Sequence, residues 1–167
     1  MSFKLPYHPA VVVFHWLTAA LMTVMLYVGY AKLSDPGLDA DTLPVLRMHM
    51  AGGMLILVLT VARLIVRWRT DRKSHAPQRK FQRAHLMLYG VLILTILVGY
   101  GNAIDAGLPA IVFGGSGSPL PQDFHDRIGS VTHRWLAWTL SAQILMHAGA
   151  PLLRRFASRG LAAARLT

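Results

Sequence analysis

The chain has 167 residues, 54% of them hydrophobic and only 14% charged, with a positive mean hydropathy; this excludes an ordinary soluble domain and points to a small polytopic membrane protein. It contains no cysteine, which excludes disulfides, iron–sulfur clusters and thiolate-ligated or covalently attached haem. The formal net charge is +10, but the basic residues gather in one set of connections, so they read as a rim against anionic lipid headgroups and not as a nucleic-acid surface.

A hydrocarbon core about 30 Å thick needs roughly 20 apolar residues in a helix. Four segments approach that length, 10–31, 45–66, 84–104 and 132–153. They nearly exhaust the chain, so the expected fold is all-α: one transmembrane four-helix bundle over residues 1–167, with no separate soluble domain. The first segment, "AVVVFHWLTAALMTVMLYVGYA", has only Lys4 ahead of it and no small-x-small cleavage pattern at its end, so it is expected to be a retained helix and not a signal peptide. It carries a histidine, His15, about one turn inside its start. "KLSDPGLDAD" follows, where Pro36-Gly37 favours a tight reversal.

The second helix is expected after Pro44, over about 45–66, and contains His49, Gly52, Gly53 and Arg63. Next comes "RWRTDRKSHAPQRKFQR", with Arg67, Arg69, Arg72, Lys73, Arg79, Lys80 and Arg83 against a single Asp71. The third helix, 84–104, starts around Phe81 and ends near "GYGNAIDAGLP". The loop "AIVFGGSGSPLPQDFHD" is expected to lack regular structure because of its glycines and prolines. The fourth helix starts near Asp126 or Arg127, is expected over about 127–153, and is interrupted by Pro151 near its end. Connections this short favour sequential antiparallel neighbours. The tail adds Arg154, Arg155, Arg159 and Arg165, while the other two loops hold six of the seven acidic residues, Asp35, Asp39, Asp41, Asp105, Asp123 and Asp126. A Lys/Arg excess marks the cytoplasmic side, so both termini and the 67–83 connection are expected inside.

Ionisable residues within spans are costly and usually face a bundle interior or a cofactor. Singly, His15, His49, His133 and His147 each read equally well as structural histidines bonded to backbone carbonyls. Together they obey one geometry. The topology sets His15 and His147 at inner depth and His49 and His133 at outer depth. His133 and His147 are 14 residues apart, almost four full turns, so they share one face about 21 Å apart at 1.5 Å per residue. Two imidazoles from different helices, with no carboxylate or thiolate beside them, suit bis-histidine haem b.

Gly52 and Gly53 follow His49 by three and four positions, and Gly129 precedes His133 by four. Such places let a flat ring approach the backbone, the plain alternative being close helix packing. Arg47 and Arg134 adjoin the outer histidines and Arg63 lies 14 residues after His49; all three suit haem propionates, although Arg63 could instead snorkel to the inner headgroups. His85 opens the third helix at inner depth, where a quinone carbonyl, a propionate or a backbone group are the alternatives. His8, His75 and His125 read as interfacial or loop residues.

"FHWL" on the first helix, "MHMAGG" and "VARLIVR" on the second, "AHLMLYG" on the third and "THRWLAW…LMHAG" on the fourth resemble the bacterial cytochrome b561 family over nearly the whole chain and in the order of all four helices. The resemblance implies a multi-pass, di-haem b cytochrome of the bacterial inner membrane that exchanges electrons with quinone, with His15 and His147 on one haem and His49 and His133 on the other. For some members it further implies oxidation of superoxide at the outer face and transfer of the electron to ubiquinone, Arg47 and Arg134 then lining the substrate approach. The family can carry further histidines about two turns after the inner ligand of the last helix; this chain has Arg154 and Arg155 there.

The leading expectation is an oxidoreductase joining an outer small donor to the quinone pool. The alternative is a membrane-anchor and electron-transfer subunit of a separate dehydrogenase, hydrogenase or periplasmic redox partner. A histidine-based metal-ion transporter is disfavoured because no span holds a carboxylate.

Overall fold

The computed structural model describes residues 9–34, 40–71 and 79–163. Lys4, His8, Asp35, Pro36-Gly37, Asp39, Arg72, Lys73, His75 and Arg165 lie outside the described residues, as do the side chains of Arg79, Lys80, Arg83, Arg154, Arg155 and Arg159. Among these residues five α-helices follow in order: α1 Pro9–Lys32, α2 Leu43–Asp71 after one 3₁₀ turn Ala40–Thr42, α3 Arg79–Asp105, α4 Leu108–Val112 and α5 Ile128–Ala163. No strand occurs among the described residues.

Among the described residues, three helices have the length and apolar composition to cross a membrane: Pro9–Lys32, Leu43–Arg69 and His85–Asp105. Large apolar side chains such as Trp16, Leu55, Leu86, Met87, Trp135 and Leu145 are exposed, which is the surface expected of a protein solvated by lipid. Where four apolar spans were expected, α5 falls short in hydropathy because it carries His133, Arg134, Ser141, Gln143 and His147 along its length.

Two further departures concern helix ends and the long loop. α5 does not stop at 153 but runs through Pro151 to Ala163. The proline deletes one backbone donor, and the following "LLRRFASRGLAA" is rich enough in strong helix formers to continue the coil. The loop after α3, expected to be irregular, folds into α4. Gly107, at φ 68°, makes the left-handed turn that a side chain would resist. Pro109 then occupies the first turn, where its missing N–H costs nothing. Burial drives this short helix, because Leu108 and Val112 are 0% exposed.

α1 packs along α2, and α3 along α5, with much less contact between the two pairs. The space between the pairs positions the site. At the α4 end, Leu46, Met50, Ala103, Leu108, Val112 and Leu120 form a closed apolar cap. Midway along the bundle, Met22, Met25, Ile56, Leu92 and Leu140 form a second apolar cluster with one or two residues from each long helix. α1 and α5 are joined across the gap by Tyr30, whose hydroxyl lies 3.1 Å from Ser141 Oγ and whose ring is 4.7 Å from that of Trp138.

Candidate functional site

At the α4 end, α2 presents His49 to His133 of α5. Their ring centres are 6.2 Å apart and their planes 82° from parallel. His133 Nδ1 lies 2.8 Å from the carbonyl oxygen of Thr95 on α3, so it donates there and leaves Nε2 for another partner. That approach needs Gly99, because a Cβ at this position would overlap the His133 ring. On the other side, a Cβ at Gly29 would lie 3.5 Å from His49 Cε1. A cavity of about 480 Å³ opens between the two helix pairs, bordered by both histidines, Gly29, Gly53, Gly99 and Arg134, with the mid-bundle apolar cluster as its floor. This is within the usual range for a cofactor pocket.

At the opposite end, α1 presents His15 to His147 of α5, with ring centres 6.3 Å apart and planes 77° from parallel. His85 of α3 is also here, its ring centre 5.0 Å from that of His147. The Arg63 guanidinium carbon lies 5.6 Å from the centre of the Tyr89 ring.

A family model described as prokaryotic cytochrome b561 matches residues 6–167. The chain belongs to the prokaryotic cytochrome b561 family. A curated relative, Cytochrome b561 homolog 2 of Escherichia coli K12, is 26% identical over 158 residues, covering 86% of this chain and 81% of its own length. No solved structure matches. Membership of the b561 family makes the chain a membrane b-type cytochrome for electron transfer and implies binding of b-type haem.

The b561 chain's own geometry fits that cofactor. A metal–imidazole bond is about 2 Å long; with about 1 Å more from nitrogen to ring centre on each side, two rings on opposite faces of one iron have centres roughly 6 Å apart. Both pairs meet that spacing. Among the described residues no group of three or more His, Cys, Asp or Glu is arranged around a bare metal ion. Paired imidazoles suit a macrocycle that brings its own four donors. His49 Nδ1 is buried without a hydrogen-bond partner, and the cavity adjoins it.

Other residues lie differently from the sequence reading. Gly53 borders the cavity, whereas Gly52 faces Met25 of α1 and Gly129 faces Asn102 of α3, contacts of close helix packing. Arg134 borders the cavity, whereas Arg47 turns to the cap and its Nε donates to Val112 O at 2.8 Å. Arg127 is held by Asp105 at 2.9 Å and Asp123 at 3.2 Å. His125, read as a loop residue, reaches the cavity wall.

Sequence reasoning missed Gly29, Gly99, Thr95 and Tyr89. Two of these had a signal. Gly29 is 14 residues after His15, and Gly99 is 14 after His85, the same spacing that sets His133 and His147 on one stripe.

Proposed function

We propose that this b561-family protein holds two non-covalent b haems, one between His49 and His133 and one between His15 and His147, and carries electrons across the bacterial inner membrane. The observation that carries the reading is that α5 offers one histidine to α2 near the α4 end and another to α1 14 residues later, each pair at 6.2 or 6.3 Å. Each bound haem supplies a one-electron ferric/ferrous couple. The chain supplies ligation, orientation and electrostatics: the Thr95 carbonyl fixes the His133 tautomer, Gly29, Gly53 and Gly99 leave room beside the outer pair, and Arg63 offers a cation to the inner propionates. In this reading α5 is the fourth span, the α4 end faces outward, and both termini are cytoplasmic, as the basic 67–83 connection favours.

The proposed donor at the α4 end is a small reductant such as superoxide, approaching past Arg134; the proposed acceptor is ubiquinone, near His85. A second reading, a cytochrome subunit serving a separate dehydrogenase, hydrogenase or periplasmic redox partner, draws support from one observation. Of the two arginines expected to line the approach of a small anion, Arg47 is engaged within the protein, as is Arg127 at the same end. The deciding measurements are a reduced-minus-oxidised spectrum with haem counted per chain, then stopped-flow reduction by superoxide. Two b haems per chain and rapid, salt-sensitive reduction are expected. A preparation holding zinc or copper instead of haem defeats the proposal. Two haems that ignore superoxide but exchange electrons with a co-purifying protein favour the subunit.

A further inference from the structure

The half of the bundle away from α4 contains buried polar atoms without hydrogen-bond partners: Arg63 Nε, Tyr89 hydroxyl, Thr60 Oγ1 and Gln143 Oε1. Such atoms are costly inside a protein and more so inside a bilayer. Two of them belong to one contact, since the Arg63 guanidinium lies against the Tyr89 ring at 5.6 Å. Tyr89 is only 7% exposed. The ring face attracts the cation but does nothing for Nε–H or for the phenolic O–H, both of which are donors.

Charge sharpens the point. Among the described side chains no carboxylate is available to this arginine: Asp41, Asp105, Asp123 and Asp126 belong to the α4 end. An arginine held within a span by an aromatic face, beside a tyrosine donor, specifies an oxyanion.

We infer that Arg63 and Tyr89 together form an oxyanion clamp, and that its ligand is a carboxylate of the haem held by His15 and His147. The assignment rests on the inner haem proposed above. It adds Tyr89 as a binding residue and joins α2 to α3 through the cofactor, two helices in much less contact with each other than α2 is with α1 or α3 with α5. The alternative source of the same chemistry is a phospholipid phosphate entering from the inner leaflet.

Tyr89→Phe in the purified full-length holoprotein separates the outcomes, because it removes only the hydroxyl and preserves the ring under Arg63. With the clamp, the inner-haem component loses retention about tenfold, the size of one hydrogen bond to a charged group, and its potential falls while the outer component is unchanged. Arg63→Gln does the same more strongly. Without the clamp, Tyr89→Phe deletes an unsatisfied buried hydroxyl: thermal stability rises, both haem components are unchanged, and the inference is overturned. Repeating the measurement in lipid nanodiscs with and without phosphatidylglycerol tests the source. An effect present in neutral lipid supports the haem carboxylate, and one confined to anionic lipid overturns it. A wild-type protein without an inner haem instead defeats the underlying di-haem reading, so the two failures are distinguishable.

Discussion

In the proposed di-haem reading, the two ends of the bundle solve one ligation problem with different surroundings. Near α4, the His49–His133 pair is enclosed: a folded cap covers it, glycines give it room, and a backbone carbonyl braces one ring. At the other end, the His15–His147 pair has a third histidine at 5.0 Å, an arginine over a tyrosine and several unpaired buried polar atoms. Both pairs have nearly the same ring separation, so the spacing is constant while the protein varies what surrounds it. The contrast teaches that the enclosed site is built for fixed geometry and the polar site for charge.

The largest effects should come from the histidines. His133→Ala or His49→Ala should abolish the spectral component of the α4-end haem and spare the other, and His147→Ala or His15→Ala should do the reverse. Haem counts and difference spectra of the four variants check this; loss of one common component from His15→Ala and His49→Ala would break the pairing. Next is Gly99→Ala, whose methyl group would displace His133 from Thr95 O. Loss of such a supporting contact costs about 10–100-fold in metal-site affinity, so haem at that end should be depleted. Where haem is retained, its potential should rise, because the imidazole becomes a weaker donor. Gly101→Ala on the same helix meets open space and should leave both components alone.

A smaller change is expected from Arg63→Leu, which should lower the potential of the polar-end haem alone, because a nearby cation favours the reduced iron. Redox titration reads it, and an unchanged potential would mean that Arg63 only snorkels. Arg134→Ala should slow reduction by superoxide a few-fold at low salt and little at high salt. Smallest is Arg47→Gln, which removes the cap's hydrogen bond to Val112. About 1 kcal/mol of stability should be lost by thermal unfolding, with no loss of haem.

Much of this contrast could be read before any coordinates. Hydropathy located the long helices, and the 14-residue interval between His133 and His147 located two sites on one stripe. The interval also runs from His15 to Gly29, from His49 to Arg63 and from His85 to Gly99, so each long helix repeats its site-facing position at both ends. What escaped depended on tertiary contact. α4 is too short to be stable by propensity and exists because Leu108 and Val112 are buried. Gly52 and Gly53 are adjacent in sequence, yet only the structure shows that one meets Met25 and the other borders the cavity. Arg47 looked like a propionate partner by position, but the carbonyl it meets belongs to a helix the sequence did not advertise. Continuation past Pro151 was illegible for a similar reason: a single missing hydrogen bond does not decide a helix whose neighbours all favour it.

The mid-bundle cluster of Met22, Met25, Ile56, Leu92 and Leu140 has an electrical consequence. It offers no donor, acceptor or cavity of its own to a proton or an ion, while a tunnelling electron needs neither. Charge passing between the two histidine pairs would therefore cross this layer uncompensated, and the transfer would be sensitive to voltage. One elementary charge moved through a full 100 mV is worth about 2.3 kcal/mol, roughly fiftyfold in an equilibrium constant. With the α4 end outward and the cytoplasm negative, electrons moving inward work against the membrane potential, and electrons moving outward are driven by it.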